Sequence, residues 1–170
     1  MNQVIELNNY DMMAASQTGL LRVFESLRLN QSWGHNYTGS VNDQIAKSIS
    51  GAMAELAICR YLKTDFNFHV NHGSNPDVIF HDVHLQIRSQ LPKKNNSLII
   101  RPKGSKPGEI YILLIDKAPI FEIKGFVNST YVLGTEKYLT DFGLTARPKV
   151  HSVPLNLLSP IELLKNGTWN

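Results

Sequence analysis

The sequence predicts an α/β fold, and three stretches carry that expectation. Residues 43–63 show the best helical spacing of apolar side chains in the chain. Residues 83–89 alternate with period two: Val83, Leu85 and Ile87 point one way, and His84, Gln86 and Arg88 the other. Residues 110–115 are apolar almost throughout, the pattern of a strand buried on both faces in the middle of a sheet.

Length and composition narrow the classes. A chain of 170 residues suits one compact domain, and 42% hydrophobic residues exclude a disordered polymer. There are 17 Lys and Arg against 14 Asp and Glu, a net charge of +3, so the distribution of charge must argue for a partner. The single cysteine, Cys59, cannot form an internal disulfide and fits a reducing, cytoplasmic setting. No apolar run is long enough to span a membrane, and the first residues carry no export pattern, so no membrane partner is expected.

Taken in order, residues 12–29 read as an amphipathic helix with Leu20, Leu21, Phe24 and Leu27 on its apolar side and Asp11 or Asn9 as its cap. Residues 30–42 are a polar loop whose Trp33 and Tyr37 are expected to anchor it to the core. The helix over 43–63, capped by Asn42 or Asp43, has Ile45, Ile49, Met53, Leu56 and Tyr61 on one side. Beside them runs a second stripe of Ser48, Gly51, Ala52, Glu55, Ile58, Cys59 and Leu62, on which Glu55 is the only charge. A carboxylate among small and apolar neighbours needs a metal, an arginine or hydrogen bonds; otherwise it sits solvated at the edge of the apolar face.

Residues 66–70 alternate and read as a short strand. A turn-rich loop then ends in Pro76-Asp77. The strand 78–80 and the strand 83–89 follow, joined by a tight turn at His81-Asp82. Residues 120–127 form a further strand after 110–115, and 131–133 are read as an extension of the sheet. The tail offers helices at 135–139 and 159–165 with an extended apolar segment between them. Between residues 83 and 108 stand Arg88, Lys93, Lys94, Arg101, Lys103 and Lys106, with no acidic residue. This block directly follows the polar face of a strand, which suits it to neutralise nucleic-acid phosphates.

The order of these parts (Glu55 on a helix, Pro76-Asp77 leading into a strand, a turn, then Gln86-Ile87-Arg88-Ser89) resembles the PD-(D/E)xK nuclease superfamily over residues 43 to 133. The resemblance implies a restriction-endonuclease-like fold, a mixed central β-sheet flanked by helices, forming one nuclease-like domain over 1–170. It implies hydrolysis of phosphodiester bonds in DNA, with Mg²⁺ as cofactor and Mn²⁺ as a substitute, and a homodimer where both strands of a duplex are cut. By position, Asp77 and Glu55 would hold the metal with the Ile87 carbonyl as a further ligand. Gln86 stands where the second acid belongs, and Arg88 where the lysine belongs. Gln86 offers an amide oxygen but no charge, which lowers metal affinity. Arg88 stabilises charge on a phosphate but stays protonated, so it cannot serve as a base. His84, two positions before Gln86 on the same face, is one candidate base, and a second water on the metal is another.

Three other readings compete. With two signature residues altered, the fold could persist as a catalytically degenerate DNA- or protein-binding module, with the basic block as its working surface. Glu122-Ile123-Lys124 is a literal E-x-K with Asp116 upstream. The pairs His69/His72 and His81/His84 have an H-x-x-H spacing that makes zinc conceivable, although a strand would point such a pair to opposite faces.

Overall fold

A computed structural model describes residues 3–31, 39–70, 76–93, 96–143 and 148–168. Trp33, Tyr37, His72 and Lys94 lie outside the described residues. In chain order the elements are β1 (Gln3–Glu6), α1 (Asn9–Arg28), α2 (Val41–Leu62), β2 (Val78–Phe80), β3 (Val83–Gln90), β4 (Ser97–Ile100), β5 (Ile110–Lys117), β6 (Ile120–Asn128), α3 (Ser129–Leu133), β7 (Leu139–Thr140), β8 (Val150–Pro154) and α4 (Ile161–Lys165). A single 3₁₀ turn, Leu155–Leu157, follows β8.

The main sheet has the strand order β1-β6-β5-β3-β2. Its neighbours are antiparallel except β3 and β5, which run parallel, so the sheet is mixed. A parallel pair needs a crossover. Here the crossover passes through β4, which belongs to a second sheet of order β4-β8-β7. The apolar run of β5 faces two cores. Ile110, Ile112 and Leu114 pack with α2 and with Ala15 of α1 and Ile161 of α4, while Tyr111 and Leu113 pack with Leu98, Ile100, Val132 and Val153 of β4, α3 and β8. Helices α1, α2 and α4 therefore cover one face of the mixed sheet, and the small sheet with α3 covers the other. Among the described residues, no helix is long and apolar enough to cross a membrane.

Local chemistry sets the ends of α2. Ser40 caps it through a reciprocal capping box with Asp43, and Lys63 leaves it in a left-handed conformation with φ 57°. Between β2 and β3, His81 and Asp82 both take positive φ, 46° and 62°. Positive φ at both central residues is what a type I′ turn requires, and its twist matches that of the flanking strands.

Four expectations are corrected. First, α1 buries the opposite side from the one its large apolar residues suggest. Ala15, Thr18, Gly19 and Val23 are buried, while Leu21, Phe24 and Leu27 are exposed. The cause is close approach to α2. A Cβ added to Gly19 would stand 2.6 Å from the Ile49 Cα and 2.7 Å from the Ser48 carbonyl oxygen. Small residues win the interface because only they let the backbones meet. Gly19→Ala is accordingly expected to lower stability by about 1–3 kcal/mol, seen as a lower urea midpoint; an unchanged midpoint would show that the helices can part at no cost.

Second, residues 66–70 form no strand. The Asn67 and His69 carbonyls accept hydrogen bonds from the Arg22 guanidinium instead. Third, the stretch around 131–133 lies in helix α3 and does not extend the sheet. Fourth, the proposed helix at 135–139 is a turn leading into β7. The extended segment of the tail is β8, whose pairing partners were not visible in the sequence.

Candidate functional site

Strand β2 is short, and this creates the site. Its pairing with β3 ends at Val78 opposite Leu85, so the rest of β3 continues past the start of β2. Asp77 fills the gap. Its N–H donates to the Leu85 carbonyl at 3.1 Å, and its carboxylate accepts the Ile87 N–H at 2.7 Å. A side-chain oxygen thus takes the place of the missing strand's carbonyl, which fixes Asp77 against β3.

Arg88 folds back onto this junction. Its Nη1 lies 2.9 Å from the Ile87 carbonyl oxygen and 3.4 Å from Asp77 Oδ2, and its Nη2 lies 3.2 Å from Gln86 Oε1. Three oxygens therefore surround one guanidinium. The group also sits over the Tyr111 ring, 5.1 Å from its centroid. Tyr111 is reachable because Gln86 pairs with Tyr111 and Arg88 with Leu113 across the parallel strands, which puts all four on one face of the sheet.

Gln86 is oriented by a residue that sequence reasoning missed. Its Nε2 faces Glu109 Oε1 at 3.4 Å, which turns its own oxygen toward Arg88. Glu109 is buried, and its other oxygen accepts from the Lys106 N–H at 2.9 Å and from the Tyr111 hydroxyl at 3.3 Å. Its one sequence signal was position: Glu109 is the first acid after the long basic span.

Glu55 approaches from α2, buried as its stripe of small neighbours implied. Of the partners that such a carboxylate could have, it has an arginine. Arg22 Nη1 stands 2.9 Å from both Glu55 oxygens, while the other Arg22 nitrogens reach the Asn67 and His69 carbonyls. Burial first, and then the charge of Asp77, push Glu55 up to about 7 against the lowering pull of Arg22 and Arg88. Asp77 thus acts on Glu55 through its charge, while its own close hydrogen bond goes to the Ile87 N–H. The site has a dry half and a wet half: the Arg22 and Glu55 side chains keep 14% and 10% of their surface exposed, and Arg88 and Asp77 keep 36% and 26%.

The basic block lies on the wet side. Lys93, Arg101, Lys103 and Lys106 are exposed, and none forms an ion pair among the described residues. The end of β3 is tied to the start of β4 by Gln90 Nε2 donating to the Ser97 carbonyl at 2.7 Å. Arg101, just past β4, lies near Arg88: the surrounding protein first, and then the charge of Arg88, lower its pKa. His84 is exposed, opposite Ile79 toward the hairpin turn, and makes no hydrogen bond to the site.

The runner-up constellation is split. Asp116 pairs across from Phe121, on the helix-covered face, and accepts the Ser50 hydroxyl and the Ala118 N–H. Glu122 pairs across from Ile115, on the opposite face, and bonds Lys124. The sheet stands between the acids, so they do not form one centre. Among the described residues, no group of three or more His, Cys, Asp or Glu stands together.

Glu55, Asp77, the Gln86 amide oxygen and the Ile87 carbonyl are nevertheless hard oxygen donors, the kind that Mg²⁺ takes. Three of the four now face Arg88, and the fourth faces Arg22. Comparison of the chain with family models, curated proteins and solved structures finds no match.

Proposed function

We propose that this chain acts on the phosphodiester backbone of DNA as a metal-assisted nuclease of the restriction-endonuclease-like kind. The observation that carries the reading is convergence. Asp77, Gln86 and Arg88 come from the residue before β2 and from β3 and meet beside an open stretch of β3, while Glu55 on α2, which covers the other face of the sheet, lies near enough for the charges of Asp77 and Arg88 to act on it. A buried carboxylate whose ionisation a second carboxylate opposes is costly to keep, and a cation site is a chemistry that uses such a pair.

Asp77 and Glu55 would hold Mg²⁺ or Mn²⁺, assisted by Gln86 Oε1 and the Ile87 carbonyl. When bound, such an ion lowers the pKa of water and neutralises charge at the phosphate. Arg88 would clamp a non-bridging phosphate oxygen pair through its fork and stabilise the charge that builds there. Lys93, Lys94, Arg101, Lys103 and Lys106 would take flanking phosphates, which makes binding strongly salt-dependent. Glu55 must be ionised to serve as a ligand, so metal binding and cleavage are expected to rise with pH through about 7. A flat profile across neutrality would remove Glu55 from the site.

Cleavage of supercoiled plasmid and of labelled linear DNA, with Mg²⁺, Mn²⁺ or EDTA, tests the reading. Metal-dependent cleavage by the wild type that disappears in Asp77→Ala is the expected result. One observation favours a second reading, the binding module: both carboxylates already face arginines. Salt-sensitive DNA binding that ignores Mg²⁺ and survives Asp77→Ala, with no cleavage, would select it.

A further inference from the structure

We infer that Arg88 is a built-in counter-ion that holds the metal-binding oxygens closed until a phosphodiester draws it away, so that DNA and divalent metal bind cooperatively. The inference rests on the nuclease reading and deepens it.

The guanidinium occupies the place that a metal would need. Asp77 Oδ2, the Ile87 carbonyl oxygen and Gln86 Oε1 all lie within 3.4 Å of its nitrogens. A second cation cannot take the same oxygens while the first stays, because the Arg88 nitrogens already occupy their open side and two like charges in contact repel. Arg88 and a divalent ion are therefore competitors for one oxygen set.

The hold is a light one. Arg88 makes its shortest contact, 2.9 Å, with the carbonyl of its own neighbour, and stands 3.4 Å from Asp77. Asp77 Oδ2 gives its close contact, 2.7 Å, to the Ile87 N–H. Over a third of the Arg88 side chain is open to solvent. A pair this open to solvent holds weakly, so a charged ligand can displace it.

A destination is also present. The Ser105 hydroxyl donates to the Arg101 carbonyl and hydrogen-bonds the Tyr111 hydroxyl, whose ring carries Arg88, so Arg101 stands at the edge of the same site, and it has no ion pair among the described residues. Two neighbouring guanidiniums repel until an anion sits between them. A phosphodiester oxygen would relieve that repulsion and draw Arg88 off Asp77 and Gln86, while the Tyr111 ring beneath offers the group a face throughout the movement. By linkage, whatever the DNA adds to metal affinity the metal adds to DNA affinity.

Equilibrium Mn²⁺ binding, followed by the free-ion electron paramagnetic resonance signal, tests this on the full chain with and without a short DNA duplex. Arg88→Gln is expected to bind Mn²⁺ at least about tenfold more tightly than wild type without DNA, a typical coupling size. The duplex should tighten Mn²⁺ binding to wild type and leave that of Arg88→Gln nearly unchanged. Equal Mn²⁺ affinity in the two proteins, or a wild-type affinity indifferent to duplex, overturns the inference. Where thermal melting shows that Arg88→Gln is unfolded, the two wild-type measurements decide alone. Tight binding by Arg88→Gln with no cleavage by wild type would keep the inference and sink the nuclease reading. Metal-dependent cleavage with equal affinities would do the reverse.

Discussion

Arg22→Ala is expected to cost the fold about 3–5 kcal/mol at about pH 8 and distinctly less at about pH 5. Arg22 holds both oxygens of a buried carboxylate, and little water reaches the pair. Without it, Glu55 keeps its burial and the opposing charge of Asp77 but loses the nearer of its two cations. Its folded pKa, already about 7, then rises further.

The direction of the pH dependence follows from that. An acid whose folded pKa lies above its ordinary value near 4.5 supports the fold fully below that value and loses the support as pH rises through the folded pKa. Removing Arg22 extends the loss upward, so the deficit of the variant grows above about pH 7, beyond the wild-type folded pKa, and is larger at about pH 8 than at about pH 5. Urea unfolding of wild type, Arg22→Ala, Glu55→Gln and the double variant at both pH values measures it. The double variant should regain most of the difference at high pH, because its amide carries no charge. It should keep a pH-independent deficit, because Arg22 also bonds the Asn67 and His69 carbonyls. A deficit equal at both pH values would show that Glu55 is not what Arg22 neutralises.

The same arginine shows where sequence reasoning stopped. Glu55 was visible as a lone charge on a stripe of small residues, and its need for a partner followed from that. The partner was not visible: Arg22 sits on another helix, and the facing of α1 was misjudged. A hydrophobic pattern reports which side of a helix is apolar. It cannot report that a backbone contact at Gly19 selects the small side and leaves Leu21 and Phe24 outside. Once α1 is turned that way, Arg22 faces Glu55, and the carbonyls of 66–70 are engaged by a guanidinium and not by a strand.

On β3 the reading went further. Period two placed Gln86 and Arg88 on one face, and the Pro76-Asp77 junction put Asp77 beside them. Local geometry is enough for that, because a hairpin keeps its neighbours close in sequence. Glu109 and the small sheet depend on a parallel crossover, and nothing local encodes its register, whereas the separation of Asp116 from Glu122 follows from the β5–β6 hairpin, whose pairing of Asp116 with Phe121 sets Glu122 on the other face. Ser97–Ile100 is four residues long, too short for its alternation to distinguish a strand from a loop.

Asp77→Asn is expected to abolish function while leaving the fold nearly intact. An asparagine oxygen can still accept the Ile87 N–H, so the junction between β2 and β3 survives. The half-exposed pairing with Arg88 is lost, at about 0–1 kcal/mol. Against this, Glu55 loses the like charge that helps to raise it, so its pKa falls below about 7. Stability between about pH 4.5 and 7 should therefore change less steeply with pH than in wild type, by the same sign argument. Cleavage should drop by about 10²–10³-fold, the scale on which losing one preorganised charge interaction at a reacting group is felt.

Carbon-detected titration of Glu55, thermal melts across the pH range and plasmid nicking together read all three effects. An unmoved Glu55 would mean that the two carboxylates do not share a site. Full cleavage by the variant, with Glu55 shifted as expected, would leave the electrostatics correct and move the chemistry away from Asp77. Only the combined result, a shifted Glu55 with intact folding and lost cleavage, ties the two carboxylates to catalysis and not to architecture.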